Sequence, residues 1–177
     1  SSELLSEKNF DMVKFNEKWS SSSERITYRS KNGNSVYINY ICAEKNQYNT
    51  DTIILIPPLG YDYTVMLPVA EHFLEKGINT VTFDQRMHGQ NNASTFTFGH
   101  LESDDLQAVL DCIKMNISTP VCFGLFAQGT GTFTASYYLS SGYNNDFDFV
   151  ILENPSADAC GFVEQKLKGK NGIIPEK

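Results

Sequence analysis

The chain has 177 residues, of which 41% are apolar and 20% charged, with a formal net charge of −7 and a pI near 4.9. That composition makes one globular domain with a core of its own, and the length argues against two. The acidic balance excludes nucleic acid and anionic membrane surfaces as expected partners, because either would need clustered Lys and Arg.

The four cysteines, Cys42, Cys112, Cys122 and Cys160, are scattered with no C-x-x-C spacing, so no metal site and no cofactor are expected. Cys112 and Cys122 sit in apolar settings that suit reduced, packed thiols. No stretch approaches the length of a membrane span, and the N-terminus lacks the basic-then-apolar order of a signal peptide. A cytoplasmic protein is the expectation. The triplets Asn92-Ala93-Ser94 and Asn116-Ile117-Ser118 would matter only in a secreted chain.

Residues 1–23 are polar, end in Ser20-Ser21-Ser22-Ser23, and hold an apolar patch at Phe10, Met12, Val13 and Phe15. They read as an N-terminal arm with a short helix, ahead of a domain over residues 24–177. Alternation in Arg25-Ile26-Thr27-Tyr28 and Val36-Tyr37-Ile38-Asn39-Tyr40-Ile41, split by Lys31-Asn32-Gly33-Asn34, predicts an antiparallel hairpin. The run Thr52-Ile53-Ile54-Leu55-Ile56 is too continuously apolar for a sheet with one wet face, so it predicts a central parallel strand covered on both sides. Strand and helix then alternate: helix over 64–76, strand 79–83, helix 101–116, strand 121–126, helix 130–139, strand 147–152. The order predicts an α/β fold with a mostly parallel sheet, an antiparallel N-terminal hairpin and helices on both faces. Ligands in such folds bind beyond the carboxyl ends of the strands, here Pro57 to Gly60, Asp84 to Gln90, Ala127 to Gly131 and Glu153 to Ser156.

Of these strand ends, the third is the most informative. Ala127-Gln128-Gly129-Thr130-Gly131 is a tight turn of small residues between a buried strand and a helix, the setting of a G-x-S-x-G nucleophile elbow. Centring the turn on Ala127 would place bulky Leu125 where a small side chain is needed, so Gly129 is taken as the central residue. Glycine then stands where a catalytic serine would be expected.

Over residues 24–165 the chain resembles the α/β-hydrolases, most closely the serine hydrolase branch with a D-x-R-x-H-G turn, a T-F-G-x-x-E-x-x-D-L helix start and a G-L-x-G-x-S-M-G elbow. The matching segments are Asp84 to Gly89, Thr97 to Leu106 and Gly124 to Gly131. The resemblance implies an α/β-hydrolase-like fold that lacks the last strands, since family members continue through a cap and two further strands carrying the triad acid and histidine. It also implies an oxyanion hole, formed by the backbone N–H groups of Leu59 and Thr130. Pro57-Pro58 replaces the usual His-Gly, which leaves those donors available while stiffening the loop. No acyl-enzyme can form at Gly129, and the hydroxyls of Thr130 and Thr132 start from a helix turn that points elsewhere.

The other candidates have structural readings. His72 falls mid-helix, His88 braces the D-x-R-x-H-G loop, and His100 opens a helix. Glu102, Asp104 and Asp105 lie in a first helical turn, where carboxylates offset the helix dipole. Cys122 faces inward on a central strand. Tyr61, Tyr63, Phe96 and Phe98 either line an acyl pocket or cover the core. Glu153 and Asn154 fix the loop after the last strand. Two functions remain. One is a pseudoenzyme, a non-catalytic binding or interaction module in which Leu59, Thr130, Pro58, Gln128 and Tyr61 surround a vacant Gly129 and hold an acyl or carboxylate ligand. The other is part of a serine-type acyl hydrolase or acyltransferase completed by another chain or a further segment. The last strand would present an open apolar edge if nothing followed it, so it predicts a pairing with the chain's own continuation, a second chain or another copy.

Overall fold

The structure, a computed structural model, describes residues 10–45, 47–48, 50–117, 120–142, 146–156 and 158–168. Six strands form one sheet in the order β1-β2-β4-β3-β5-β6, comprising β1 (Ser23–Arg29), β2 (Ser35–Ile41), β3 (Thr52–Ile56), β4 (Asn79–Phe83), β5 (Phe123–Gln128) and β6 (Phe149–Glu153). The hairpin β1–β2 is antiparallel and joins β4 antiparallel, whereas β4, β3, β5 and β6 run parallel. Residue alternation sends side chains to two cores. Ile54, Ile56, Val81, Phe83, Leu125 and Ala127 face α3 (His100–Asn116) and α4 (Gly131–Ser140). Ile53, Leu55 and Phe126 face α1 (Met12–Trp19) and α2 (Leu67–Leu74). Every residue of β3 and of β4 is buried, as a central parallel strand requires.

Several elements differ from the sequence reading. The expected polar arm contributes to the core: Asp11 caps α1 by accepting from the N–H groups of Val13 and Lys14, and Phe15 and Trp19 are buried beside α2. The helix expected from residue 64 opens as a 3₁₀ turn, Tyr63–Met66, capped by the Asp62 carboxylate on the Thr64 N–H, before α2 begins at Leu67. β5 starts at Phe123, because the chain bends through Val121 and Cys122, and the Asp148 carboxylate accepts from the Phe123 N–H at 2.7 Å. Cys122 therefore lies ahead of the strand and is partly exposed, not inward upon it. A last helix, α5 (Ala159–Lys168), follows β6 and was absent from the sequence reading.

This topology locates the crevice. After β3 the chain crosses to β4 on one side and later returns to β5 on the other, so strand order reverses about β3 and the loops beyond β3 and β5 diverge there. Those are the loops of Pro57–Gly60 and Gly129.

Candidate active-site elbow

β5 ends at Gln128, the chain turns at Gly129, and α4 begins at Gly131. Gly129 has φ +54°, in the left-handed region that costs glycine nothing. Its N–H donates to the Glu153 carbonyl at 2.9 Å, and its own carbonyl accepts from both the N–H and the hydroxyl of Thr132, at 3.1 and 2.6 Å. The turn is thus tied to β6 on one side and to α4 on the other. A Cβ on Gly131 would lie 2.8 Å from the carbonyl oxygens of Ile56 and Pro57, so the helix start can approach β3 only without a side chain. A Cβ on Gly129 would meet Pro58 Cβ at 3.3 Å and nothing else within 4 Å. The geometry is a tight strand–turn–helix junction whose tip carries no side chain.

The facing loop is pinned by side chains from the start of α4 and from the loop after β4. The Leu59 N–H donates to Thr130 Oγ1. The Pro57 carbonyl accepts from Gln85 Nε2 at 2.5 Å, and Gln85 Oε1 accepts from the Thr134 hydroxyl at 2.7 Å. The Gly60 N–H donates to His88 Nε2 at 2.7 Å; His88 Nδ1 lies 2.7 Å from the Arg86 carbonyl. A carbonyl can only accept, so Nδ1 carries the proton and Nε2 is the acceptor. Asp84 completes the support by accepting from the N–H groups of Tyr63 and Gln90, both at 2.8 Å.

The structure brings Gly129, Thr130, Leu59 and Pro58 together. Gln128 is at the turn, but its amide donates to the Glu153 carboxylate at 3.0 Å. Tyr61 lines a cavity of about 230 Å³ with Phe10, Asp62, Thr64, Val65 and Pro68. Phe96 and Phe98 belong to an edge-to-face row that runs from His88 through both rings to Phe133, with centroid separations of 6.2, 5.1 and 5.7 Å. His100 pairs with the Tyr137 hydroxyl at 2.7 Å, and His72 is exposed on α2. Burial pushes the Cys42 thiol up to about 11, reinforced by the Glu24 carboxylate. Among the described residues no cluster of His, Cys, Asp or Glu has the makings of a metal site, and no helix is long and apolar enough to cross a membrane.

Three carboxylates read together as dipole-offsetting groups prove to have three roles. Glu102 caps α3, accepting from the N–H groups of Thr97 and Gly99 and from the Thr97 hydroxyl. Asp104 pairs with Lys31 at 2.7 Å. Asp105 is buried against Arg86 at 3.3 Å and accepts from the Asn34 amide at 2.8 Å. Burial raises its carboxyl above the ordinary range, against the opposing pull of Arg86, Ser30, Asn34 and Asn32. Sequence spacing placed Asp105 in the first turn of α3, but Asn32 and Asn34 of the hairpin tip that reaches it are 73 and 71 residues distant in the chain and left no local signal.

No family model matches the chain. The uncharacterized protein YqkD of Bacillus subtilis is 29% identical over 107 residues, which are 60% of this chain and 35% of that protein. Among solved structures, the Pyrococcus furiosus esterase Pf2001 superposes with a TM-score of 0.71 at 21% identity over 92% of this chain and 59% of its own. A thermostable carboxyl esterase from Bacillus coagulans gives 0.62 at 14% identity over 84% and 51%. The chain thus spans about a third of the curated relative and between half and three-fifths of these esterases. With its six-stranded, mostly parallel sheet and N-terminal antiparallel hairpin, the polypeptide has the α/β-hydrolase fold over the part of that fold it spans.

Proposed function

We propose that this chain is a non-catalytic α/β-hydrolase-fold module, which keeps the fold for binding and interaction and not for acyl transfer. The observation that carries this reading is the pairing at the elbow. Gly129 supplies no nucleophile, and the Leu59 N–H, one of the two donors an oxyanion would need, is already taken by the Thr130 hydroxyl. His88, the histidine held against the facing loop, uses both ring nitrogens to brace it and has neither free for a proton relay. The surface offered to a partner is β6. Its pattern Phe149-Val150-Ile151-Leu152-Glu153 suits a strand covered on both faces, yet Phe149, Ile151 and Leu152 are each more than a third exposed. A further strand fits such an edge, whether from the chain's own continuation, from another chain or from another copy of this one.

The esterase likeness favours a second reading, in which the chain is one part of a serine-type acyl hydrolase or acyltransferase whose site a partner completes. Native mass spectrometry combined with turnover of p-nitrophenyl butyrate separates the two. The first reading expects a single chain or a self-assembly with hydrolysis at the buffer rate, and the second a companion chain with turnover. Hydrolysis that a fluorophosphonate abolishes would overturn it in favour of the second.

A further inference from the structure

We propose that the Thr130 hydroxyl is an internal occupant of the oxygen site at the elbow, an autoinhibitory contact that keeps carboxylate and acyl oxygens out. The inference rests on taking Gly129 as the centre of the elbow and concerns the regulation of that same site. Thr130 stands immediately after Gly129 at the mouth of α4, 97% buried, and its Oγ1 accepts from the Leu59 N–H across 71 residues of chain. A threonine at a helix N-cap ordinarily turns its hydroxyl onto the N–H groups of its own first turn. Thr130 makes no such cap bond: its φ of −67° is helical, and the hydroxyl is directed to the facing loop. An oxygen therefore sits against the donor that an acyl oxygen would use, and it belongs to the protein.

The loop does not depend on this contact for its position. Gln85 holds the Pro57 carbonyl and His88 holds the Gly60 N–H, on either side of Leu59. Taking the hydroxyl away leaves the Leu59 N–H in place and unpaired beside the positive end of α4, next to a glycine that has no side chain and whose nearest neighbour on that side is Pro58. Such a cradle selects an anionic or carbonyl oxygen, because nearby donors and the helix end favour negative charge.

Three variants divide the contributions of the block and of the bond. T130S keeps the hydroxyl, T130V replaces it with a methyl group that frees the N–H while still filling the space, and T130A removes both. Binding of acetate and butyrate is followed by the amide shifts of Leu59 in ¹H–¹⁵N spectra of the whole chain. The expected result is a saturable Leu59 shift in T130A alone, with affinity at least about tenfold above wild type, the gain of a hydrogen bond to a charged group. T130S and T130V remain as silent as wild type. Equal carboxylate affinity in wild type and T130A overturns the proposal, as does a T130A protein in which Leu59 exchanges faster yet shows no saturable shift. Should T130A not fold, amide exchange in the wild type decides: slow exchange at Leu59 supports the contact, and exchange as fast as an unprotected loop amide overturns it. Ester hydrolysis by the wild type would defeat the non-catalytic reading on separate grounds.

Discussion

Restoring the missing side chain, Gly129→Ser, is the perturbation most closely tied to the elbow's geometry. At φ +54° a non-glycine residue costs about 1–2 kcal/mol. Its Cβ would also press on Pro58 Cβ at 3.3 Å, a contact relieved by a few tenths of an ångström of movement and worth up to about 1 kcal/mol more. The expected destabilisation is about 1–3 kcal/mol, or a fall in Tm of about 2–12 °C for a chain of this size. Catalysis should not follow. An oxyanion hole and binding alone can leave a residual acceleration of about 10³–10⁴ when triad members are removed, but here Thr130 already holds the Leu59 N–H. Calorimetry gives the stability, and p-nitrophenyl butyrate turnover gives the activity. A variant as stable as wild type would refute the strain argument, and turnover about a thousandfold above background would refute the claim that no base and no open hole serve this position.

Arg86→Leu leaves the buried Asp105 carboxylate without its counter-charge, while Glu102 keeps its N–H donors, and should cost about 3–5 kcal/mol, read as a lower urea midpoint with unchanged m-value. Gly131→Ala drives a Cβ to 2.8 Å from two backbone oxygens that cannot move independently of β3, so it should destabilise more than Gly129→Ser in the same calorimeter. Burial raises the Asp146 carboxyl, but Lys114 and the Tyr138 hydroxyl outweigh it and hold it below its ordinary 3.8. A depressed folded value contributes stability that is present above pH 3.8 and lost as pH falls through the folded value, so Asp146→Asn should flatten the acid limb of stability against pH. With the Cys42 thiol at about 11, only about one molecule in a thousand carries the thiolate at pH 8, so iodoacetamide should modify exposed Cys160 first and Cys42 only on unfolding, as peptide mapping would report.

The regular parts of the fold were legible because burial on two faces imposes a local pattern. Thr52–Ile56 and Asn79–Phe83 were delimited correctly by their apolar runs and flanking turn residues. Val121 and Cys122 misled because an apolar residue before a strand looks like its first residue, while the bend that excludes them is held by Asp148, 25 positions on from Phe123. The same limit applied at the elbow. Ala127 to Gly131 indicated the turn, and Thr130 and Leu59 were paired as two backbone donors, but their contact runs through a side chain. Which atom of a threonine faces a distant loop depends on how the ends of β3 and β5 meet, and no spacing in the sequence encodes that. The links of Gln85 to Pro57 and Thr134, and of Asn34 to Asp105, were hidden for the same reason: each joins segments distant in the chain.

The central claim is that the elbow carries no reactive nucleophile. Its most direct test is the intact mass of the wild-type chain after incubation with a fluorophosphonate probe, alongside an active serine hydrolase as control. The mass should be unchanged under conditions that label the control fully. A single stoichiometric adduct, mapped to any residue between Ala127 and Thr132, would contradict it.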